Sequence, residues 1–206
     1  MTAQWTHALH DYRAARIANY LLEFIQPGDT VLDCGCGDMT VARSISERSS
    51  VDIVGIDIVS PNRTNTKMCI CDGKSLCFSD DSFNVVILSF VLHHTQYKQK
   101  VLKECLRVTK RRLIILEDIY RSQVELLALK ISDWIGNRPF SSEMSIPFNF
   151  DSTHGWLALF REIGASTTSF ESIRPLPWLP TRQRMFAIEQ SLSEIGDQES
   201  VPPGQS

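Results

Sequence analysis

The segment Val31-Leu-Asp-Cys-Gly-Cys-Gly-Asp38 constrains this chain more than any other. A short apolar run ends in Gly-x-Gly, and a helix-compatible stretch follows. A strand must therefore turn sharply into a helix, and glycine supplies the backbone conformations such a turn requires. The helix start adds free N–H groups and the positive end of a dipole. The arrangement suits a nucleotide-like ligand at the carboxyl ends of parallel strands. A Gly-x-Gly turn taken alone also occurs with no ligand.

The rest of the chain alternates strand and helix signals. Ile17, Tyr20, Leu21, Phe24 and Ile25 recur on one helical face, which Pro27-Gly28 stops. Residues 30–34, 52–58 and 67–71 read as strands, and 39–49 as a helix with Val41, Ala42 and Ile45 inward. Residues 83–89 and 112–119 are near-continuous apolar runs, the pattern of strands buried on both faces. Tyr97, Val101, Cys105 and Val108 mark a helix between them. Such alternation predicts an α/β, doubly wound, mostly parallel sheet with right-handed crossovers. Residues 124–135 then read as a helix and 136–150 as a loop. Trp156, Leu157, Phe160 and Ile163 form a further helical stripe. Residues 166–173 and 181–189 read as strands whose connection is too short for a crossover helix, so they pair antiparallel. One domain is expected over 1–190, with 121–150 as a substrate-side lid. The polar stretch 191–206, with Pro202-Pro203, is expected to be a disordered tail.

Composition narrows the classes of function. A chain of 206 residues with 43% hydrophobic and 22% charged residues has material for one core. Its 21 Lys+Arg against 24 Asp+Glu leave a net charge of -3, and no basic aromatic cluster is present, so nucleic acid is not an expected partner. No apolar run approaches the roughly 18 to 20 residues of a membrane span, and residues 1–10 lack the apolar core of a secretory signal. A cytoplasmic location is expected, and the oligomeric state stays open. The pairs Cys34-x-Cys36 and Cys69-x-Cys71 are spaced too closely for the usual structural zinc pattern. They read as free thiols of a reducing compartment, and no metal site is expected.

Two carboxylates sharpen the reading of the glycine turn. Asp57 ends the second strand, where a carboxylate can accept from ribose hydroxyls, or stand as a plain surface residue. Asp72-Gly73 follows the third strand; it can meet an adenine amine or simply form a turn. In order along the chain, Val31-Leu-Asp-Cys-Gly-Cys-Gly, Gly55-Ile-Asp57, Asp72-Gly73 and Asp81-Ser-Phe-Asn-Val-Val-Ile-Leu-Ser-Phe-Val-Leu-His-His94 resemble the class I S-adenosylmethionine-dependent methyltransferases, in their small-molecule, type 11-like branch. The resemblance covers residues 15–120 well. It implies a Rossmann-like seven-stranded sheet with an antiparallel last strand. It also implies that Asp33, Gly35 and Gly37 surround the methionine part of S-adenosyl-L-methionine. Asp57 and the adjoining Ile58 lie at the ribose, Asp72 and Gly73 on the adenine side, and Ser89 and Phe90 near the sulfonium. Asp33 suits the cofactor's ammonium and would repel a pyrophosphate, which argues against a nicotinamide-dependent oxidoreductase.

Methyl transfer is an in-line displacement in which the protein aligns the acceptor, excludes water and sometimes removes a proton. His93 and His94 follow the fourth strand, and either can be a general base or merely cap and pack the strand end. Glu117 and Asp118 end the fifth strand and can orient substrate or form a solvated edge. Trp134, Asn137 and Phe148, from two segments rich in aromatics and amides, are candidate contacts to an apolar or aromatic acceptor, or parts of a packed lid. His154 can contact the acceptor or cap the next helix. Three departures stand out: Met39 replaces a third glycine that many relatives carry, only residues 59–66 join the second and third strands, and Ser89-Phe-Val-Leu92 replaces the amino-methyltransferase tetrapeptide. Met39 either points away from the cofactor or narrows its pocket. Together with the short connection it motivates an alternative, a catalytically silent methyltransferase-like module that binds a protein.

Overall fold

The computed structural model describes residues 2–58, 64, 66–137 and 147–189, with the side chains of 2–6, 136 and 137 excepted. Its helices are α1 (Thr2–Leu22), α2 (Thr40–Ser46), α3 (Lys98–Val108), α4 (Gln123–Asn137) and α5 (Thr153–Glu162). Its strands are β1 (Thr30–Cys34), β2 (Asp52–Asp57), β3 (Lys67–Ile70), β4 (Phe83–Ser89), β5 (Thr109–Ile119), β6 (Thr167–Ile173) and β7 (Arg182–Glu189). A single 3-10 turn over Leu92–His94 follows β4.

Side chains of a strand alternate between faces, and here both faces are covered. Val85 and Ile87 of β4 and Ile114 and Leu116 of β5 pack with Ile17, Ala18 and Leu21 of α1 and Ala42 and Ile45 of α2. Val86, Leu88, Leu113 and Ile115, one residue out of phase, pack with Val101, Leu102 and Cys105 of α3 and Trp156 and Phe160 of α5. The unbroken apolar runs of β4 and β5 are thus one sequence signal serving two cores. Cys34 and Cys36 also join opposite cores, so their thiols do not face a common point.

The strands lie in the order β3-β2-β1-β4-β5-β7-β6. β1 is parallel to β2 and β4, β2 to β3, and β4 to β5, whereas β7 is antiparallel to both β5 and β6. This is the Rossmann-like, mostly parallel, seven-stranded sheet with an antiparallel last strand that the sequence led us to expect. The chain leaves β1 toward β2 on one side, while β4 lies on the other. Such a reversal opens a crevice beyond the carboxyl ends of the strands. Among the described residues, no helix is long and apolar enough to cross a membrane.

Boundaries moved where local turns intervened. α1 stops at Leu22, and Phe24 N donates to Leu21 O at 3.0 Å, so Phe24 and Ile25 reach the core from a turn and not from the helical face. α2 ends at Ser46, short of residue 49, and β5 begins at Thr109, ahead of residue 112. β3 pairs directly with β2 despite the short connection; residues 59–63 and 65 of that connection, 138–146 of the expected lid and the 191–206 tail lie outside the described residues.

Met39 turns into the core. It precedes α2 with φ 66, in the left-handed region, and its side chain is fully buried. The space it fills is left by Gly55, where a Cβ would stand 2.2 Å from Met39 Sδ. Met39→Gly should relieve backbone strain of roughly 1–2 kcal/mol but forfeit burial of roughly 2–5 kcal/mol. Burial wins, and urea unfolding should show a net loss of about 1–3 kcal/mol with ligand affinity unchanged.

Candidate active site

The crevice at the β1/β4 reversal is a cavity of about 1050 Å³. Asp33, Gly35, Gly37, Asp57, Ile58, Asp72, Gly73, Ser89 and Phe90, the residues expected around the cofactor, all line it. So do His93, His94, Asp118, Asp133 and Pro147.

The loop after β1 is shaped by sterics and one carboxylate. Gly35 has φ 79, and a Cβ there would stand 2.3 Å from Val91 Cγ2, so the β1 loop and the β4 loop touch only because this residue lacks a side chain. Gly37 N donates to Asp57 Oδ2 at 2.8 Å, and Ile58 N donates to Asp57 Oδ1 at 2.7 Å. Asp57 therefore ties the glycine turn to the end of β2. Asp72 is stapled by its own turn, accepting from Lys74 N at 2.9 Å, and both this and the Lys74 ammonium hold its carboxyl below the usual range.

Asp33 stands apart. It is 1% exposed, and its Oδ1 has no hydrogen-bond partner. Burial, helped by the nearby Asp57 charge, pushes its carboxyl up to about 7. An unpaired carboxylate in such a place costs free energy unless a cation or donor arrives.

Beyond β4, Phe90 adopts φ 61, and the Arg13 guanidinium lies 4.6 Å from its ring centroid. Arg13 and His10 come from α1, whose first turns run past the cavity mouth. The sequence reading began this helix at Ile17 and so missed both. The available signal was the unbroken, proline-free and glycine-free stretch before Ile17.

The acceptor-side candidates fall into two groups. Glu117 does not line the cavity and is fully buried, so it is corrected from a substrate contact to a positioning residue. Its Oε1 accepts from Val91 N at 3.1 Å and Leu92 N at 2.7 Å, and its Oε2 lies 2.6 Å from His93 Nδ1. Burial alone would depress His93, but the Glu117 charge and the bonds to Asp133 and Glu117 outweigh it and raise the imidazole to about 10. An imidazolium held in this way cannot accept a proton near neutral pH, which argues against His93 as the general base. His94 is neutral, because burial and the adjacent His93 charge lower it to about 4. Its ring faces the cavity, where Asp118 also sits, accepting from Gln183 Nε2 at 2.9 Å.

Trp134 and Phe148 do not line the cavity either: their immediate neighbours Asp133 and Pro147 do. Helical phase turns Asp133 inward and leaves Trp134 48% exposed. In the extended piece it is Phe150 that packs on the site, stacking on His93 at 4.6 Å. Asn149 anchors that piece, donating from N to His93 O at 2.9 Å and from Nδ2 to Thr95 O at 2.8 Å. The Asn137 side chain lies outside the described residues. Ser152 and not His154 caps α5, accepting from Gly155 N at 3.1 Å. Glu117→Ala should strand two amides and a buried imidazolium and lower stability by roughly 3–5 kcal/mol. Glu117→Gln, which keeps an acceptor for the amides, should cost less in the same urea titration.

Residues 32–115 match the family model described as a methyltransferase domain. Over aligned regions the chain is 31% identical to the ubiquinone/menaquinone biosynthesis C-methyltransferase UbiE of Burkholderia orbicola (strain MC0-3), covering 55% of each protein. The chain thus spans about half the length of the curated relatives it matches. Among solved structures, geranyl diphosphate methyltransferase in complex with SAM superposes with a TM-score of 0.63 at 14% identity, covering 86% of this chain and 85% of that one. The cyclase SpnF superposes with a TM-score of 0.65 at 14% identity, covering 85% and 80%. The two structures share the fold, and their different activities show that the fold alone does not set the reaction. Taken with the strand order, the glycine turn and the carboxylates that line its cavity, the domain match makes residues 32–115 of this chain similar to the class I S-adenosylmethionine-dependent methyltransferases.

Proposed function

We propose that the protein transfers a methyl group from S-adenosyl-L-methionine to a small, apolar or aromatic acceptor at oxygen or carbon. The observation that carries this reading is Asp33, a buried carboxylate with an unpartnered oxygen at the wall of the cavity. The cofactor's ammonium is the complement it lacks, and a pyrophosphate is not. Asp57, at the cavity wall, would accept from ribose hydroxyls, Asp72 and Gly73 border the adenine side, and Ser89 and Phe90 border the sulfonium. When bound, the cofactor supplies a methyl group already activated for in-line displacement.

The protein's part is alignment and exclusion of water. Phe150 and the anchored Asn149 support the His93 wall from behind, and Arg13 over Phe90 closes another. His93 is fixed by Glu117, so of the two histidines only His94 offers a neutral ring to an acceptor. With its basicity this low, His94 orients the acceptor more than it deprotonates it. The apolar acceptor class is supported by Phe90, Val91 and Tyr97, which line the cavity, whereas the exposed apolar side chains of α4 lie on the helix face opposite Asp133. It is also supported by the names of the relatives, which concern a quinone pathway and geranyl diphosphate. In this reading the catalytic unit spans 1–190 in the cytoplasm, with 121–150 as the acceptor-side lid. The silent-module alternative loses one motive, because Met39 does not narrow the cavity.

Calorimetric titration with S-adenosylmethionine, S-adenosylhomocysteine and NADH tests the proposal. Micromolar binding of the first two and none of NADH is expected; NADH binding alone would overturn it. Asp57→Ala should weaken cofactor binding by about 1.5–3 kcal/mol, while His94→Ala should spare binding and slow turnover.

Asp33 gives a pH signature. Its folded pKa of about 7 lies above the ordinary carboxylate value of 3.8, so protonation favours the folded, ligand-free protein. That stability is full below the ordinary value and is lost as pH rises through about 7. A cationic ligand needs the ionised form, so affinity should climb up to about tenfold per pH unit below 7 and then level off. Asp33→Asn should raise the melting temperature of the ligand-free protein at neutral pH and abolish the pH dependence along with tight binding. A flat affinity profile for the parent protein would count against the ammonium contact.

A further inference from the structure

Three side chains at the acceptor end of the cavity form a cluster that linear spacing hides. His93 and His94 lie on the turn after β4, and Asp133 arrives from α4. One potential ligand atom from each lies within 4.8 Å of the others. His93 Nε2 is 3.6 Å and His94 Nε2 3.8 Å from the same oxygen, Asp133 Oδ1. Ligands at 2.0–2.2 Å around a tetrahedral ion are separated by roughly 3.3–3.6 Å, so the two histidine–Asp133 separations need only a small contraction, and the histidine pair starts within 4.8 Å.

The surroundings match what such a centre requires. Metal-bound histidines usually give their other ring nitrogen to a carboxylate, which fixes the ring and strengthens the ligand. His93 does this already: Nδ1 lies 2.6 Å from Glu117 Oε2, and Glu117 is itself held by two backbone amides. Phe150 stacks on His93 at an interplanar angle of 19° and gives the site an apolar wall. Asp133 and both histidines line the cavity, so an ion they share keeps coordination positions open to it. Charge balances as well: a dication on His93 Nε2 takes the place of the proton there, which passes to solvent, and offsets the Asp133 and Glu117 carboxylates.

We propose that His93, His94 and Asp133 bind a divalent transition-metal ion at the acceptor end of the cavity, with Glu117 as the carboxylate that positions His93. Two imidazoles and one carboxylate suit zinc, iron or cobalt in the divalent state and do not suit magnesium or calcium, which prefer oxygen donors. The open position takes a water or an oxygen of the acceptor. A hydroxyl bound there is acidified and releases its proton to solvent while its oxygen keeps the electron pair. The ligand class is therefore an apolar molecule with a phenolic, enolic or similar oxygen close to the methylated atom. That last assignment rests on the methyl-transfer reading; binding of the ion does not.

The test uses tag-free protein stripped with chelator and desalted. Titration with Co²⁺ is followed by visible d–d absorption, and titration with Zn²⁺ by calorimetry, both without methyl donor or acceptor. One ion per chain at micromolar affinity or tighter is expected, with a cobalt spectrum of imidazole ligation. His94→Ala and Asp133→Asn should each weaken binding by at least about tenfold, and Glu117→Gln by about 10–100-fold. Thermal melting checks that each variant is folded. Affinity no better than millimolar, or affinity unchanged in folded His94→Ala and Asp133→Asn, would overturn the site. Ion binding with no cofactor binding would leave the metal site standing and sink the methyl-transfer reading, so the two failures are distinguishable.

Discussion

The Glu117 carboxylate is the fixed point on which both halves of the cavity depend. It emerges from the end of β5 with no exposure to water and is bonded to the amides of Val91 and Leu92 and to the His93 ring. A buried charge is tolerable only when its acceptor positions are filled. Here filling them bends the chain after β4 into the turn that faces β1. Val91 is pressed against Gly35 by that turn, and the same turn sets the two histidines at the acceptor end. One interaction thus fixes the spacing between the glycine loop and the histidine pair, the dimension that a two-substrate reaction needs held constant.

Negative charge is concentrated at the carboxyl ends of the strands. Asp33, Asp57, Asp72, Asp118 and Asp133 all line the cavity, while Arg13, Lys74 and His93 bring compensating charge from the rim and the loops. The internal balance is incomplete at Asp33, whose ionisation is suppressed by burial. A ligand that carries both an ammonium and a sulfonium converts this deficit into binding energy. Binding sites commonly hold such unfavourable groups, and the surrounding core has to compensate for them. The two cores on either face of β4 and β5 supply that compensation through near-complete burial of their apolar side chains.

Function is divided between rigid and peripheral parts. The side of the cavity proposed for the cofactor is built on strand ends and the loops directly attached to them, where backbone pairing limits movement. The side proposed for the acceptor is assembled from a helix, a 3-10 turn and the loop 147–150, joined by side-chain and loop hydrogen bonds. The exposed apolar face of α4 lies on the side of that helix opposite Asp133. Variation among proteins of this fold would be cheapest there, because changing it disturbs neither core.

Legible in the sequence alone were the sheet class, both buried central strands and the glycine-and-carboxylate wall of the cavity. Those features are written in local period and in glycine and aspartate positions at strand ends, and backbone chemistry acts on them over a few residues. Asp57, Asp72 and the Gly35–Gly37 turn were legible for that reason. Only the tertiary structure decided the roles of Glu117, Asp133, Phe150 and Arg13, because each acts on a partner far away in the chain. Whether Trp134 or Asp133 faces the cavity, and whether Phe148 or Phe150 packs on it, depended on the phase of a helix and the register of a loop. Composition does not encode either. Met39 shows the same division: its left-handed backbone belongs to the turn after β1, but its place in the core exists only because Gly55 on the neighbouring strand leaves room.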